Sequence, residues 1–420
     1  MRNARRVGLV VPCAAVLALG CAVPAGAGGV TDLPGATVAT AAPGALRPID
    51  AGALRAAVER KAGELGVPGA VVLVRTPQGT HRVAVGTAEL GTDRPPTAGD
   101  HVRIASNTKT MTAALILLLA QDGRLRLDDP VSRYVPGVPN GGHITLGELL
   151  KMRSGLYNYT DAPELAAALD ADPARAFTPR EMLDIAFRRP PQSPPGSSYA
   201  YDNTNYALLG LVAEKAGGQP LERQLRDRLF VPLGLTGTSL PGATDTSLPG
   251  PYAHGYMYGG TAYALTDVPY PAAVREGAAS GSLRPVDYTH QNPSYARAAG
   301  GVVSTADDLA VWIRALVRGE VLGPAVQRQW TASPEAEDPA APDGQRYGYG
   351  IAHQRFGPGA AMYYHGGELP GFNSFIGHDP ENDVTLVIWT NLTLSPDGRT
   401  TANALLPTVL GQVYAGLSLP

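Results

Sequence analysis

Runs rich in β-branched and aromatic residues sit at opposite ends of this sequence. GAVVLVRT and HRVAVGTAEL occupy the region of residues 69–90, whereas YGYGIAH, AMYYHGG, FNSFIGHD and VTLVIWTN fall between residues 347 and 391. A two-stranded hairpin is marginal by itself in water, so the early pair, joined through Pro77, Gln78 and Gly79, needs the late strands as partners. The two ends are therefore predicted to build one sheet, with the helical middle forming a separate lobe. The expected fold class is α/β of the α+β type: an antiparallel sheet flanked by helices plus a mainly helical domain. Residues 49–105 and about 300–416 are assigned to the sheet subdomain, and 106–299 to the helical one.

The helices are marked by their ends. One runs from Ile49 through LRAAVERKAGELG. ITLGELLKMRSGL starts at a Thr145 N-cap and stops at Gly155, and TPREMLDIAF has Thr178 as cap with Pro179 at its first position. NTNYALLGLVAEKAGG and STADDLAVWIRALVRG repeat the pattern, the latter capped by Ser304 or Thr305, and an apolar helix closes the chain from Ala402 to about Ala415. Between about Thr236 and Gln291, Gly, Pro and Tyr dominate without periodicity, which predicts a long surface excursion.

The first 27 residues read as an export signal. Arg2, Arg5 and Arg6 precede a mostly apolar run from Val7 to Leu19, and Ala25-Gly26-Ala27 resembles a cleavage site. Residues 28–48, poor in large apolar side chains, are expected to be a flexible linker. Both cysteines, Cys13 and Cys21, lie inside the signal, so cleavage after Ala27 leaves a mature chain with no thiol and no disulfide. The protein is expected to be secreted, with no transmembrane span in the mature chain; a lipid anchor on Cys21 of ALGC is the alternative. The formal charge of −3 offers no basic stripe for nucleic acid.

The stretch RIASNTKTMTAALILLLAQDG opens a greasy helix with Ser106, Asn107, Thr108 and Lys109. Ser106 and Lys109, three apart, share one helix face. A serine hydroxyl becomes a nucleophile when a base removes its proton, and a lysine becomes such a base when burial lowers its pKa. The chain has four lysines among its 34 basic residues, so arginine is its default cation, yet arginine cannot act as a base. Ser106 as a plain helix cap is the competing assignment.

Two further segments can supply companions. In SSYAYDNTNYALLG, Tyr201 and Asn203 precede a helix, where a phenol and an amide can face one cleft; a wall residue and a helix cap would explain them equally. In YYHGGELPGFNS, His365 ends an apolar strand and Gly366-Gly367 let a ligand backbone approach the strand edge, although a polar residue at a glycine turn would look the same. The histidines, eight in all, show no HExxH or other close metal-ligand spacing, and no cofactor is implied.

Taken in order, S-x-x-K, Y-x-N and H-x-G resemble the penicillin-recognising serine hydrolases: secreted D-alanyl-D-alanine carboxypeptidases, class C β-lactamases and related esterases. The likeness runs from about Ile49 to Gly416 and includes GRLRLDDPVSRYVP, ITLGELLKMRSGL and AAGGVVSTADDLAVW. The resemblance implies a β-lactamase/transpeptidase-like fold and an acyl-enzyme on Ser106. It makes Lys109 the proton acceptor, Tyr201 the proton shuttle and Asn203 the holder of the substrate amide. His365 would be the polar residue of the third strand and Gly367 its spacer, with the amides of Ser106 and Glu368 forming an oxyanion hole. The implied partners are peptidoglycan stem peptides ending in D-alanyl-D-alanine, or another small acyl donor, and β-lactam antibiotics; a monomer is expected. A departure is Glu368, where carboxypeptidases often carry threonines to hold the substrate carboxylate; an ionised Glu368 would repel it. Arg355 is the nearest upstream candidate for a compensating cation. A secreted esterase or β-lactamase, and a non-catalytic penicillin- or stem-peptide-binding envelope protein, are the alternatives on the same constellation.

Overall fold

The computed structural model describes residues 46–266, 268–357 and 359–417. The expected signal peptide, and the expected linker up to residue 45, lie outside the described residues. Leu46 and Arg47, at the end of that linker, pair with Tyr414 and Val413 at the other end of the chain.

The early and late strands meet in one antiparallel sheet. Its members are β1 (Gly69–Thr76), β2 (Gly79–Gly86), β3 (Glu335–Ala336), β4 (Arg346–Tyr347), β5 (Ala352–Gly357), β6 (Ala360–Leu369), β7 (Phe372–Asp379) and β8 (Val384–Thr390). They lie side by side in the order β2-β1-β8-β7-β6-β5-β4-β3. The seam between the two ends is the β1–β8 ladder, in which Ala70 faces Thr390 and Arg75 faces Thr385. Every residue of β7 and β8 is buried, as expected of strands covered on both faces, whereas the edge strand β2 alternates toward solvent.

One cover is made by α1 (Ala51–Glu64) and α7 (Thr401–Val413), which pack on each other and on the sheet. The opposite face carries α6 (Ala306–Val317). Beyond it lies the helical part, centred on α2 (Thr108–Gln121), whose residues are buried from Thr108 to Leu119 without an exposed stripe. A helix apolar all round must be enclosed on every side. Here α6 supplies Trp312, whose indole N–H donates to Thr110 Oγ1 at 2.8 Å, and α5 (Asn203–Gly217) lies along the other flank.

The capping signals are realised in detail. Thr145 and Thr178 each form a reciprocal capping box, with Glu148 on α3 (Leu146–Leu150) and Glu181 on α4 (Pro179–Phe187) respectively. Of the two candidate caps for α6, Thr305 accepts from the Asp308 amide, while Ser304 belongs to a short ladder with Val102.

Four expectations are corrected. α3 ends at Leu150 and not at Gly155, because Met152 takes a left-handed conformation, φ +61°, that a right-handed helix cannot include. YGYGIAH is not one strand: β4 ends at Tyr347, the chain turns through Gly348–Gly350, and β5 begins at Ala352. Gly350 has φ +72° and sits so close to Ala113 and the Lys109 carbonyl that a Cβ would collide with both. HRVAVGTAEL leaves the sheet at Gly86. The 236–291 excursion also carries structure, with a helix at Ala272–Ser280 and a ladder between Tyr256–Met257 and Val286–Asp287. Its tyrosines Tyr256, Tyr258 and Tyr270 are buried with Leu392 and Leu394, so aromatic burial, not periodicity, anchors the segment.

Removing the cap hydroxyl of α3 by Thr145→Ala is expected to lower the unfolding free energy by about 1 kcal/mol in urea denaturation, with activity per folded molecule unchanged.

Candidate active site

The Val102–Arg103 strand, paired with Val303–Ser304, delivers the chain to a tight 3-10 turn at Ala105–Asn107. Ala105 has φ +50°, a left-handed conformation that costs a non-glycine residue of order 1–3 kcal/mol. The strain is held by bonds to the sheet. Asn107 Nδ2 donates to Ile104 O at 3.1 Å and to Ser374 Oγ at 2.8 Å, and Ser374 Oγ donates to Ile104 O at 3.2 Å. Strand β6 passes against this turn so closely that a Cβ on Gly367 would overlap Ile104 O and Ser374 Oγ. Gly367 is thus required by the approach of strand to turn, and the half-buried Ser106 is presented at the mouth of α2.

One turn further in, Lys109 is fully buried. Its Nζ lies 3.0 Å from Ser106 Oγ, 2.7 Å from Asn203 Oδ1 and 2.8 Å from Ala299 O. Two of these neighbours only accept, while the hydroxyl can donate or accept. A neutral amine, with two N–H groups and one lone pair, fits the set with its lone pair toward Ser106; an ammonium fits it with three donations. Both protonation states are therefore satisfied without movement. Loss of hydration drives the Lys109 pKa well below its ordinary value, and the charge of Asp202 partly opposes this.

Ala299 O is aimed inward by the Arg297–Gly300 turn, whose neighbouring carbonyl, Ala298 O, accepts from Thr112 Oγ1 at 2.8 Å. The turn begins at Arg297 with φ +23°, tied by its guanidinium to Glu222 at 2.6 Å.

The third segment enters from α5. Asp202, not Asn203, is the helix cap, accepting from the Thr204 amide at 2.7 Å. That leaves the Asn203 side chain for the site. Its Nδ2 donates to Thr160 Oγ1 at 3.0 Å and its backbone N–H to Asn158 Oδ1 at 3.0 Å, which turns the amide oxygen toward Lys109. Tyr201 hydrogen-bonds to Ser106 and its ring centroid is 4.9 Å from Lys109 Nζ. Burial raises the Tyr201 pKa above its ordinary value; the bond to Ser106 pulls it down, and the charges of Glu368 and Glu337 push it further up.

His365 stands opposite on β6, its ring 6.2 Å from that of Tyr201. Nδ1 is 2.6 Å from Gly366 O, which can only accept, so Nδ1 carries the proton. Nε2, 2.9 Å from the Tyr347 hydroxyl, is then the acceptor. Burial, reinforced by Lys109, depresses the His365 pKa to about 3, so the ring is neutral.

Ser106, Lys109, Tyr201, Asn203 and His365 thus converge, with Gly367 beneath them. Glu368 is half-buried at the rim, where its charge raises the pKa of both Tyr201 and Tyr270. Arg355 is excluded as its cation: it is paired with Ala361, seven residues along β6 from Glu368, or about 23 Å at strand rise. Sequence reasoning missed Asn158, Thr160, Asp202, Tyr347 and the Ala299 carbonyl. Asn158 and Thr160 lie in YNYTD, directly after the recognised RSGL, and a search for polar residues near the motif segments would have found them.

The sequence matches the family described as Beta-lactamase over residues 54–409. The chain belongs to this family. It has the mixed α/β architecture expected of that family. Among curated relatives it is 32% identical to penicillin-binding protein 4 of Amycolatopsis lactamdurans over 40% of this chain and 44% of that one. It is 26% identical to penicillin-binding protein 4* of Bacillus subtilis (strain 168) over 73% of this chain and 64% of that one, so it spans less than two thirds of either relative. Among solved structures, a D-stereospecific amidohydrolase from Streptomyces sp. superposes with TM-score 0.74 at 29% identity, covering 88% of this chain and all of that one.

The His365 pKa near 3, against about 6.5 when unfolded, means that the unfolded chain takes up this proton first as pH falls. Its contribution is therefore constant above about pH 6.5 and becomes progressively destabilising below it. His365→Gln should shrink the difference in unfolding free energy between pH 7 and pH 4.5 by about 2 kcal/mol, measured in urea.

Proposed function

We propose that the protein forms an acyl-enzyme on Ser106. Ser106 Oγ bonds to the carbonyl carbon of an amide or ester as its proton passes to Lys109 Nζ, and Tyr201 relays a proton to the leaving nitrogen or oxygen. Water then enters by the same relay and releases the acid, restoring the hydroxyl. The observation that carries this is the 3.0 Å contact between a dehydrated amine and the Ser106 hydroxyl, with the amine's other two contacts made to pure acceptors. Ser106 and Glu368 amides on the facing turn and strand are proposed as the oxyanion donors. The resemblance to exported enzymes and the basic-apolar N-terminus support a secreted location.

For the substrate, the charge of Glu368 beside Tyr201 supports an acyl donor without a terminal carboxylate, and the structural likeness to a D-stereospecific amidohydrolase supports a D-configured amide. Hydrolysis of small D-aminoacyl amides is accordingly the first assignment. The D-alanyl-D-alanine carboxypeptidase is the second, favoured by the penicillin-binding relatives, whose names also support acylation by β-lactams.

Ser106→Ala should abolish the covalent adduct that penicillin leaves on the protein, read by intact mass, with little change in melting temperature. Lys109→Arg should cut acylation by about a hundredfold or more although the charge is kept, since arginine cannot take the proton. Activity should rise with pH as Lys109 loses its proton and fall at more acid pH; retention of most activity in Lys109→Arg would refute the base assignment.

Turnover of a D-alanine amide, a p-nitrophenyl ester, a chromogenic cephalosporin and an acyl-D-alanyl-D-alanine peptide should favour the amide over the peptide. Glu368→Gln should narrow that gap by raising the peptide rate. A wild-type enzyme that prefers the peptide would return the assignment to carboxypeptidase.

A further inference from the structure

Asp202 lies between Tyr201 and Asn203 and is 2% exposed. Its Oδ1 caps α5, but Oδ2 is buried with no hydrogen-bond partner among the described residues. Capping does not call for such a group. Serine, threonine and asparagine cap as well as aspartate without burying a charge, and this chain uses Thr145, Thr178 and Thr305 on three other helices. A buried carboxylate oxygen without a donor costs free energy that a threonine or asparagine here would avoid. Its presence points to a charge-dependent task.

The surroundings define that task. Lys109 is faced by Tyr201, Asp202 and Asn203 from the segment entering α5, by Tyr206 on that helix, by the Ala299 carbonyl and by His365 on β6. Of these, His365 is neutral, the phenols are held protonated by burial, and Asp202 is the carboxylate whose charge favours the ammonium. Asp202 in turn is faced by Lys109, by Thr204 on its own helix, and by Tyr159 and Asp161 of the Tyr159–Asp161 turn.

We infer that Asp202 is a positioning residue for the proton: its carboxylate is the counter-charge for the ammonium that Lys109 becomes when Ser106 is deprotonated. Without it, transfer to Nζ would create an isolated charge in a dehydrated pocket. With it, the Ser106 proton enters a Lys109–Asp202 pair whose net charge changes from −1 to 0. Burial holds the Asp202 carboxyl up to about 7, against the bonds from Thr204, while loss of hydration drives the Lys109 amine well below its ordinary value, so the charge of each bears on the titration of the other. This rests on the assignment of Lys109 as proton acceptor.

The test uses a fluorophosphonate, which needs no knowledge of the natural substrate. Ser106 Oγ bonds to phosphorus, the P–F bond breaks, fluoride leaves, and the serine proton goes to Lys109 Nζ. Asp202→Asn and Asp202→Ser keep a capping side chain and remove the charge. Both should move the acid limb of the phosphonylation rate down by about one pH unit and lower its plateau about tenfold, with melting temperature little changed.

Independently, the chain has four lysines, so 13Cε-lysine labelling gives a resolvable Lys109 resonance. Its titration midpoint should fall in both variants. In the wild type it should show a second inflection from Asp202, which decides the matter even if neither variant folds. An unchanged acid limb and midpoint in the variants, or a single inflection in the wild type, would overturn the inference. A wild-type Ser106 that never reacts would instead count against the acyl-enzyme itself, because the lysine titration does not depend on it.

Discussion

Holding an amine dry is the demand that organises this molecule. Lys109 can serve as a base near neutrality only if water is excluded from it, and exclusion requires that α2 be enclosed on every side. β6 packs against the Ala105–Asn107 turn at the mouth of α2, α6 covers one flank with Trp312, and α5 brings Tyr206 and the Tyr201–Asn203 segment. The Arg297–Gly300 turn then directs a carbonyl at Nζ, so that a polar group that could not remain unpaired in such a place is bonded in either protonation state. Fold and chemistry meet at this point: the layers exist to enclose one nitrogen, and the hydroxyl beside it is the one group of the pair left half open to a substrate.

Opening is as controlled as enclosure. Ser106 sits on a strained turn that two side-chain bonds to Ser374 pin to β7 and that Asn107 braces from within, and Gly367 lets β6 slide close beneath it. Across the cleft, Tyr199, Tyr201, Tyr347 and His365 form a packed aromatic group with centroid separations from 5.7 to 6.3 Å. Rings locked by neighbours fix the direction of the phenol oxygen more firmly than a flexible side chain could. The rim is electrically uneven, with Glu368 on one side and Glu337 behind, the latter's carboxyl pushed up to about 7 by burial. A ligand entering the cleft therefore passes an acidic lip before it reaches the Ser106 hydroxyl.

Much of this was legible in the sequence because the relevant signals are local. Caps such as Thr145 and Thr178, the alternating or apolar strand runs, and the three-residue spacing of Ser106 and Lys109 follow from short-range periodicity and stereochemistry. What escaped notice depends on distant parts of the chain. No local pattern shows that Ala299 O will reach Lys109 from 190 residues away, or that Thr160 will orient the Asn203 amide. The YGYGIAH segment misled because its glycines break the strand for the sake of α2, a neighbour that the segment itself cannot reveal. Asp202 was overlooked for a different reason: at the start of a helix an aspartate looks ordinary, and its unpaired oxygen is apparent only from burial.

The seam of the sheet joins residues 70–75 to residues 385–390. Ladder closure requires both segments at once, and the entropy of bringing such distant segments together is spent before any of their hydrogen bonds form. A chain without residues 385–390 cannot close the sheet against which the turn of Ser106 is held, so the dry pocket around the amine depends on a strand far away in sequence. The seam thus ties the local arrangement of serine and lysine to the most non-local pairing in the sheet.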